Sequence, residues 1–96
     1  MPEAQTSEAE DFATVADFWL ARRGGSKYLL RADREKIEDW VRDCRALGTP
    51  MRIILRGVED GFRVAREQRR AIYGFGWFDP HIKASLQAWI DSGQGR

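Results

Sequence analysis

What these 96 residues lack narrows the field before any motif is sought. Cysteine is reduced to Cys44, so no disulfide can form within the chain. Histidine is reduced to His81. A His-based zinc site would need carboxylates or Cys44 as every other ligand, and no ligand-spaced cluster supplies them. No apolar run approaches the roughly 20 residues of a membrane span, and no membrane partner is expected. The opening "MPEAQTSEAEDF" has neither a basic nor an apolar region, so no export is expected and the chain is assigned to the cytoplasm, where a single thiol stays reduced. Phosphate-binding glycine loops, dinucleotide fingerprints and serine-nucleophile motifs are missing as well. The expectation is a protein that is not an enzyme, with no catalytic residue, no metal and no cofactor.

What is present reads as one folded domain. A hydrophobic share of 43% and an aromatic share of 11% place the chain with globular proteins rather than with disordered tails. Residues 1–6 read as a flexible acidic arm, 7–92 as a single helical domain and 93–96 as a frayed tail. Ser7 and Glu10 have the spacing of a capping box. Phe12, Val15, Ala16, Trp19 and Leu20 then recur at helical spacing as far as Arg23, and Gly24-Gly25 ends that helix. Tyr28, Leu29 and Leu30 are expected to tuck a connection onto the core. Asp33 is expected to cap a second helix with Ile37, Trp40, Val41, Cys44 and Leu47 on its apolar stripe, closed by Gly48.

Thr49 and Pro50 read as cap and first residue of a third helix, which carries Met51, Ile54, Leu55, Val58, Phe62 and Ala65 on one face and runs to about Arg69. Gly57 and Gly61 sit four apart on it. Either they let another backbone approach closely or they simply weaken the helix. Asp79-Pro80 repeats the cap-then-proline signal, and the last helix carries Ile82, Leu86, Trp89 and Ile90. The fold class is all-α, a compact bundle of about four helices.

Charge is unevenly placed. The net charge is +1, yet residues 1–19 hold Glu3, Glu8, Glu10, Asp11 and Asp17 with no lysine or arginine. Every basic residue of the third helix and its end is arginine: Arg52, Arg56, Arg63, Arg66, Arg69 and Arg70. Arginine's planar fork pairs with phosphate and stacks on bases. Two readings stay open: binding of phosphate or an acidic partner, or ordinary surface charge paired in part with Glu59, Asp60 and Glu67. Glu35, Asp39 and Asp43 share a face with interleaved basic residues and read as a solvated ion-pair surface. His81, early in the last helix, reads as a solvent-facing structural residue, and Cys44 as a small buried one.

The stretch "IYGFGWF" follows directly. If it were extended, Tyr73, Phe75 and Trp77 would point one way and form a platform on which bases could stack. A small helical domain also needs large residues to close its end. On that reading Phe75 and Phe78 are core, and Tyr73 or Trp77 stays on the surface. The candidate nucleic-acid-binding residues are therefore Arg52, Arg56, Arg63, Arg66, Arg69, Arg70, Tyr73 and Trp77.

The segment "IEDWVRDCRALGTPMRIILRGVEDGF", Ile37 to Phe62, places a tryptophan-bearing helix before a glycine and a second apolar helix. It resembles the helical C-terminal domain of DnaD-type replication initiation and helicase-loading proteins, over roughly residues 33–90. In that family a Tyr-containing segment leads into a further helix ending near Trp. Tyr73 or Trp77, and then Trp89, would take those places. The proline-started third helix and "GFGWFDP" depart from the family pattern. Residues Ile72 to Ile82 are also similar to short uncharacterised bacterial helical proteins. The DnaD-type resemblance implies contact with single-stranded or duplex DNA, a helicase partner, and Arg63, Arg66, Arg69 and Arg70 as contacts.

The expected function is a helical module that binds nucleic acid, DNA before RNA, within a larger assembly. A replication accessory or helicase-loader role is its most specific form. The alternatives are a protein–protein adaptor that touches no nucleic acid, and a small helical subunit or inhibitor of a ribonucleoprotein effector complex. Four tryptophans and five phenylalanines are many for so small a core, which leaves room for a homo-oligomer.

Overall fold

A computed structural model describes residues 6–24 and 28–93. Helix α1 spans Glu8–Arg23. It opens on the expected capping box: the Glu10 N–H donates to Ser7 Oγ at 3.1 Å, and the Ser7 N–H donates to the Glu10 carboxylate at 3.4 Å. Gly24 closes the helix at φ 72°. Gly25 lies outside the described residues, as do 1–5 of the expected arm and 94–96 of the expected tail.

Helix α2 spans Arg31–Ala46, with Leu30 rather than Asp33 at its N-cap. Asp33 sits one turn inside because its carboxylate has another task. The Phe75 N–H donates to Asp33 Oδ1 at 3.0 Å, across 42 residues of chain. The backbone entering the helix is extended at Leu30 (φ −68°, ψ 150°). Extended chain alternates its side chains, so of the three residues expected to tuck in, only Leu29 packs on the core. Tyr28 and Leu30 are exposed. At the other end the helix stops at Ala46, and the turn carries Leu47 outward to 55% exposure instead of onto the core. Gly48 then takes φ 71°.

Helix α3 spans Met51–Glu67 and α4 spans Asp79–Asp91, with a short 3-10 helix, Phe75–Phe78, leading straight into α4. Both expected caps are displaced. Thr49 belongs to the end of α2, where its N–H donates to the Cys44 carbonyl at 2.8 Å, so Pro50 becomes the N-cap of α3. Phe78 is the N-cap of α4, which moves Asp79 and Pro80 to its first two positions. The Asp79 carboxylate instead accepts from Lys36 Nζ at 2.7 Å and from Trp40 Nε1 at 2.8 Å, tying the start of α4 to α2.

The four helices form an all-α bundle of 41 × 27 × 21 Å, with no strand among the described residues. No helix among the described residues is long and apolar enough to cross a membrane. The core joins Val15 and Trp19 of α1, Ile37, Val41 and Cys44 of α2, Ile54 and Val58 of α3, Ile82 of α4, and both phenylalanines of the 3-10 helix. Ile90, expected on the apolar stripe of α4, is 42% exposed, whereas its neighbour Trp89 is buried.

Close approach explains both glycines of α3. A Cβ on Gly57 would lie 2.5 Å from Ile82 Cα, and one on Gly61 would lie 2.3 Å from the Phe78 ring. Both positions are buried. The α3–α4 pair therefore packs at a separation that no larger residue allows. At an open helical site, Gly→Ala would gain about 1 kcal/mol. Here the Gly57→Ala variant should instead be destabilised by about 1–3 kcal/mol, the usual cost of overpacking, as read from urea unfolding.

Cys44 is fully buried, as expected. Burial, with Asp43 adding a smaller repulsion, pushes its thiol up to about 11 from 9.0. Because the folded value is the higher one, the stability this thiol contributes is complete below about pH 9 and is lost as pH rises towards 11. A thiol-reactive dye at pH 8 should label native protein at the rate of global or local opening. Labelling at the rate of a free thiol would contradict the burial.

Candidate nucleic-acid interface

The outward face of α3 is mixed in charge. At 100° per residue, Arg52, Arg56, Arg63 and Arg66 share about a third of a turn with Glu59, Asp60 and Glu67, on the far side from the buried glycines. Arg63 is neutralised in the middle, at 3.7 Å from Asp60 and 3.3 Å from Glu67. Glu59 is held at 3.0 Å by Arg22 of α1. The stripe is therefore two basic ends with a compensated centre. Arg52 and Arg56 form one end beside Trp89 and Ser92. Arg66, Arg69 and Arg70 form the other. Among the described residues, Arg52, Arg56, Arg66 and Arg69 have no ion pair, and all four are exposed.

The second end has an unusual backbone. Helix α3 closes with the Arg70 N–H donating to the Ala65 carbonyl at 2.8 Å and the Arg69 N–H donating to the Arg66 carbonyl at 3.2 Å. This is the Schellman pattern, whose left-handed residue is usually glycine. Arg69 holds it at φ 54°, the one non-glycine residue with positive φ among those described. An arginine in that conformation costs about 1–2 kcal/mol relative to a right-handed one. Its side chain is exposed, as are those of Arg66 and Arg70.

Arg70 lies over the Trp77 ring at 6.0 Å from its centre, at the limit of a cation–π contact. The ring is fixed from behind: Trp77 Nε1 donates to the Gly61 carbonyl at 2.9 Å, and His81 packs 5.7 Å away, centre to centre. His81 is half-buried rather than fully solvent-facing. Trp77 and Arg70 therefore meet at the α3 side of the 3-10 helix.

Tyr73 does not join them. It is 92% exposed and lines a groove on the α2 side, with Asp33, Glu35, Lys36 and Asp39. The flat platform expected of an extended "IYGFGWF" is not formed, because residues 75–78 coil into a 3-10 turn. Phe75 and Phe78 are fully buried, with Phe75 edge-on to Trp19 at 5.4 Å. The plug reading holds, with Tyr73 displayed and Trp77 half-covered.

The face of α2 is the expected ion-pair surface, with Arg31–Glu35 at 3.0 Å and Arg42–Asp39 at 2.9 Å. Lys36 leaves it for Asp79, and the hydrogen bond and attraction of that carboxylate raise its ammonium above the ordinary lysine range. Among the described residues, no group of three or more His, Cys, Asp or Glu comes together as a metal would require. The roles of Asp33 and Asp79 escaped sequence reading, since their partners lie about forty residues away and leave no local signal.

No protein-family model matches the chain, and neither a curated protein nor a solved structure matches it.

Glycine at the Schellman position relieves the left-handed strain, at the cost of a more mobile unfolded chain. The Arg69→Gly variant should be more stable than the parent by about 1 kcal/mol in thermal or urea unfolding. Equal or lower stability would mean that Arg69 sits there without strain.

Proposed function

We propose that this chain is a non-enzymatic helical module that binds nucleic acid through the end of α3, with Arg66, Arg69 and Arg70 contacting phosphates and Trp77 as a neighbouring ring. The observation that carries this reading is Arg69 at φ 54°, an arginine in the left-handed position that glycine usually takes, beside an unpaired Arg66 and an Arg70 that lies 6.0 Å from the centre of the Trp77 ring. Strain held at an exposed position is best explained by what the side chain does there. Guanidinium groups without carboxylate partners can give up their hydration to phosphate without first breaking an ion pair. Arg63 already serves two carboxylates and contributes less.

Arg52 and Arg56 lie about 20 Å away along the same helix, from the rise of 1.5 Å per residue. They provide a second cationic end for a ligand long enough to reach both. DNA in preference to RNA, and a replication accessory or helicase-loader role within a larger assembly, are the most specific form of the proposal. That form rests on the DnaD-type resemblance alone.

Fluorescence anisotropy with labelled single-stranded DNA, duplex DNA and RNA, at 50 and 200 mM salt, tests the proposal. Three phosphate contacts predict an affinity loss of about 20- to 40-fold between the two salt concentrations. The triple variant Arg66→Ala, Arg69→Ala, Arg70→Ala should abolish most of that salt dependence while keeping the parent's unfolding midpoint or raising it. The proposal falls if none of the three ligands binds at 50 mM salt, or if the variant binds as the parent does.

A further inference from the structure

The far end of the α3 stripe is built against local electrostatics. Arg52 and Arg56 are exposed and have no ion pair among the described residues. Arg52 stands in the first turn of α3, which holds no acidic residue, and a cation there opposes the helix dipole. Arg56 follows four residues later, a like-charge spacing that destabilises a helix. The carbonyl end of α4 lies beside them at Trp89 and Ser92 and offsets part of this, without supplying a full charge.

The charge between the two cationic ends is of the opposite kind. Glu59, Asp60 and Glu67 share the outward third of a turn with Arg63, and Arg22 reaches Glu59 from α1. Three carboxylates against two guanidinium groups leave the centre negative. A single strand laid along this stripe carries a phosphate at every nucleotide, so it would hold several phosphates against that centre. A duplex instead gathers its phosphates into two rows with a groove between them. The major groove of B-form DNA leaves about 12 Å clear between its walls and admits an α-helix, so the phosphates flanking it stand farther apart than that. The minor groove, about 6 Å wide, is too narrow. Cationic ends about 20 Å apart on one rigid helix match the wider spacing. Acids held over the groove meet no phosphate row.

We infer that the ligand is duplex DNA and that α3 lies across its major groove, an inference that rests on nucleic-acid binding at the Arg66–Arg70 end. Arg66, Arg69 and Arg70 contact one phosphate backbone, and Arg52 and Arg56 contact the other. Glu59, Asp60 and Glu67 overlie the groove and disfavour a single strand.

The test is fluorescence anisotropy with a labelled duplex of about 20 base pairs, roughly two turns, and with single-stranded DNA and RNA of the same length. Five phosphate contacts predict that duplex affinity falls about 500-fold between 50 and 200 mM salt, against about 20-fold for three contacts to a single strand. The Arg52→Ala, Arg56→Ala variant changes two exposed side chains and should keep the parent's unfolding midpoint. It should cut the duplex loss to about 40-fold and remove most of the duplex's advantage over the single strand. The Asp60→Asn, Glu67→Gln variant should strengthen single-strand binding more than duplex binding. The inference is overturned, with nucleic-acid binding at the Arg66–Arg70 end left standing, if single-stranded DNA or RNA binds as tightly as the duplex at 50 mM salt. It is overturned equally if the Arg52→Ala, Arg56→Ala variant keeps the parent's salt dependence on the duplex. Absence of binding to all three ligands would remove the underlying reading itself.

Discussion

Gly57 and Gly61 set the distance at which α3 meets α4, and the rest of the architecture is arranged around that contact. Gly57 admits the backbone of Ile82, and Gly61 admits the ring of Phe78. Because Gly61 has no side chain, its carbonyl is also within reach of Trp77 Nε1. One residue without a Cβ thus seats the plug ring of the 3-10 helix and orients the ring that faces Arg70. Ser85 adds to the same seam by donating to the Ile53 carbonyl at 2.8 Å. The interface is made of backbone proximity, so it tolerates few substitutions on either side.

The 3-10 helix is held from two further directions by carboxylates that local reasoning would assign to helix caps. Asp33 fixes its first N–H from α2, and Asp79 at its exit binds Lys36 and Trp40. A lost N-cap bond costs about 1 kcal/mol, and water can replace it at an exposed helix end. A long-range tie to a buried N–H has no such substitute. That asymmetry explains why Asp33 is spent on the buried Phe75 N–H, while Asp79 goes to the Lys36 ammonium and the part-buried Trp40 indole, and α2 and α4 start without side-chain caps. The same preference for long-range ties is seen in Asp11, which is buried in α1 and paired at 2.6 Å with Arg45 of α2.

Charge on this molecule is sorted by geometry rather than by sequence block. The middle of the α3 stripe is consumed by Arg22, Glu59, Asp60, Arg63 and Glu67, which leaves two separated cationic ends. The 3-10 turn then divides the aromatic stretch between two surfaces: Trp77 goes to the arginines, and Tyr73 to the carboxylates of α2. Neighbouring residues in the chain therefore serve faces of opposite electrostatic character. A basic run and an aromatic run that adjoin in sequence do not form one continuous platform.

The amino-acid pattern by itself determined the number of helices, their order, most of their buried residues and the capping box of Ser7 and Glu10. Each of these depends on interactions within about four residues, where periodicity and propensity act. It also marked Phe75 and Phe78 as core, because large rings beside glycines in a short chain must close the bundle. The tertiary structure decided whatever depended on a partner dozens of residues away. It showed why Gly57 and Gly61 are glycine, and moved Asp33, Thr49 and Asp79 out of the caps their spacing suggests. It left Leu47 and Ile90 on the surface and sent Tyr73 and Trp77 to opposite sides. It also chose which arginines of the stripe stay unpaired, and placed one of them, Arg69, in a left-handed turn. Spacing along one helix records which residues share a face, and only the packed neighbours determine what that face meets.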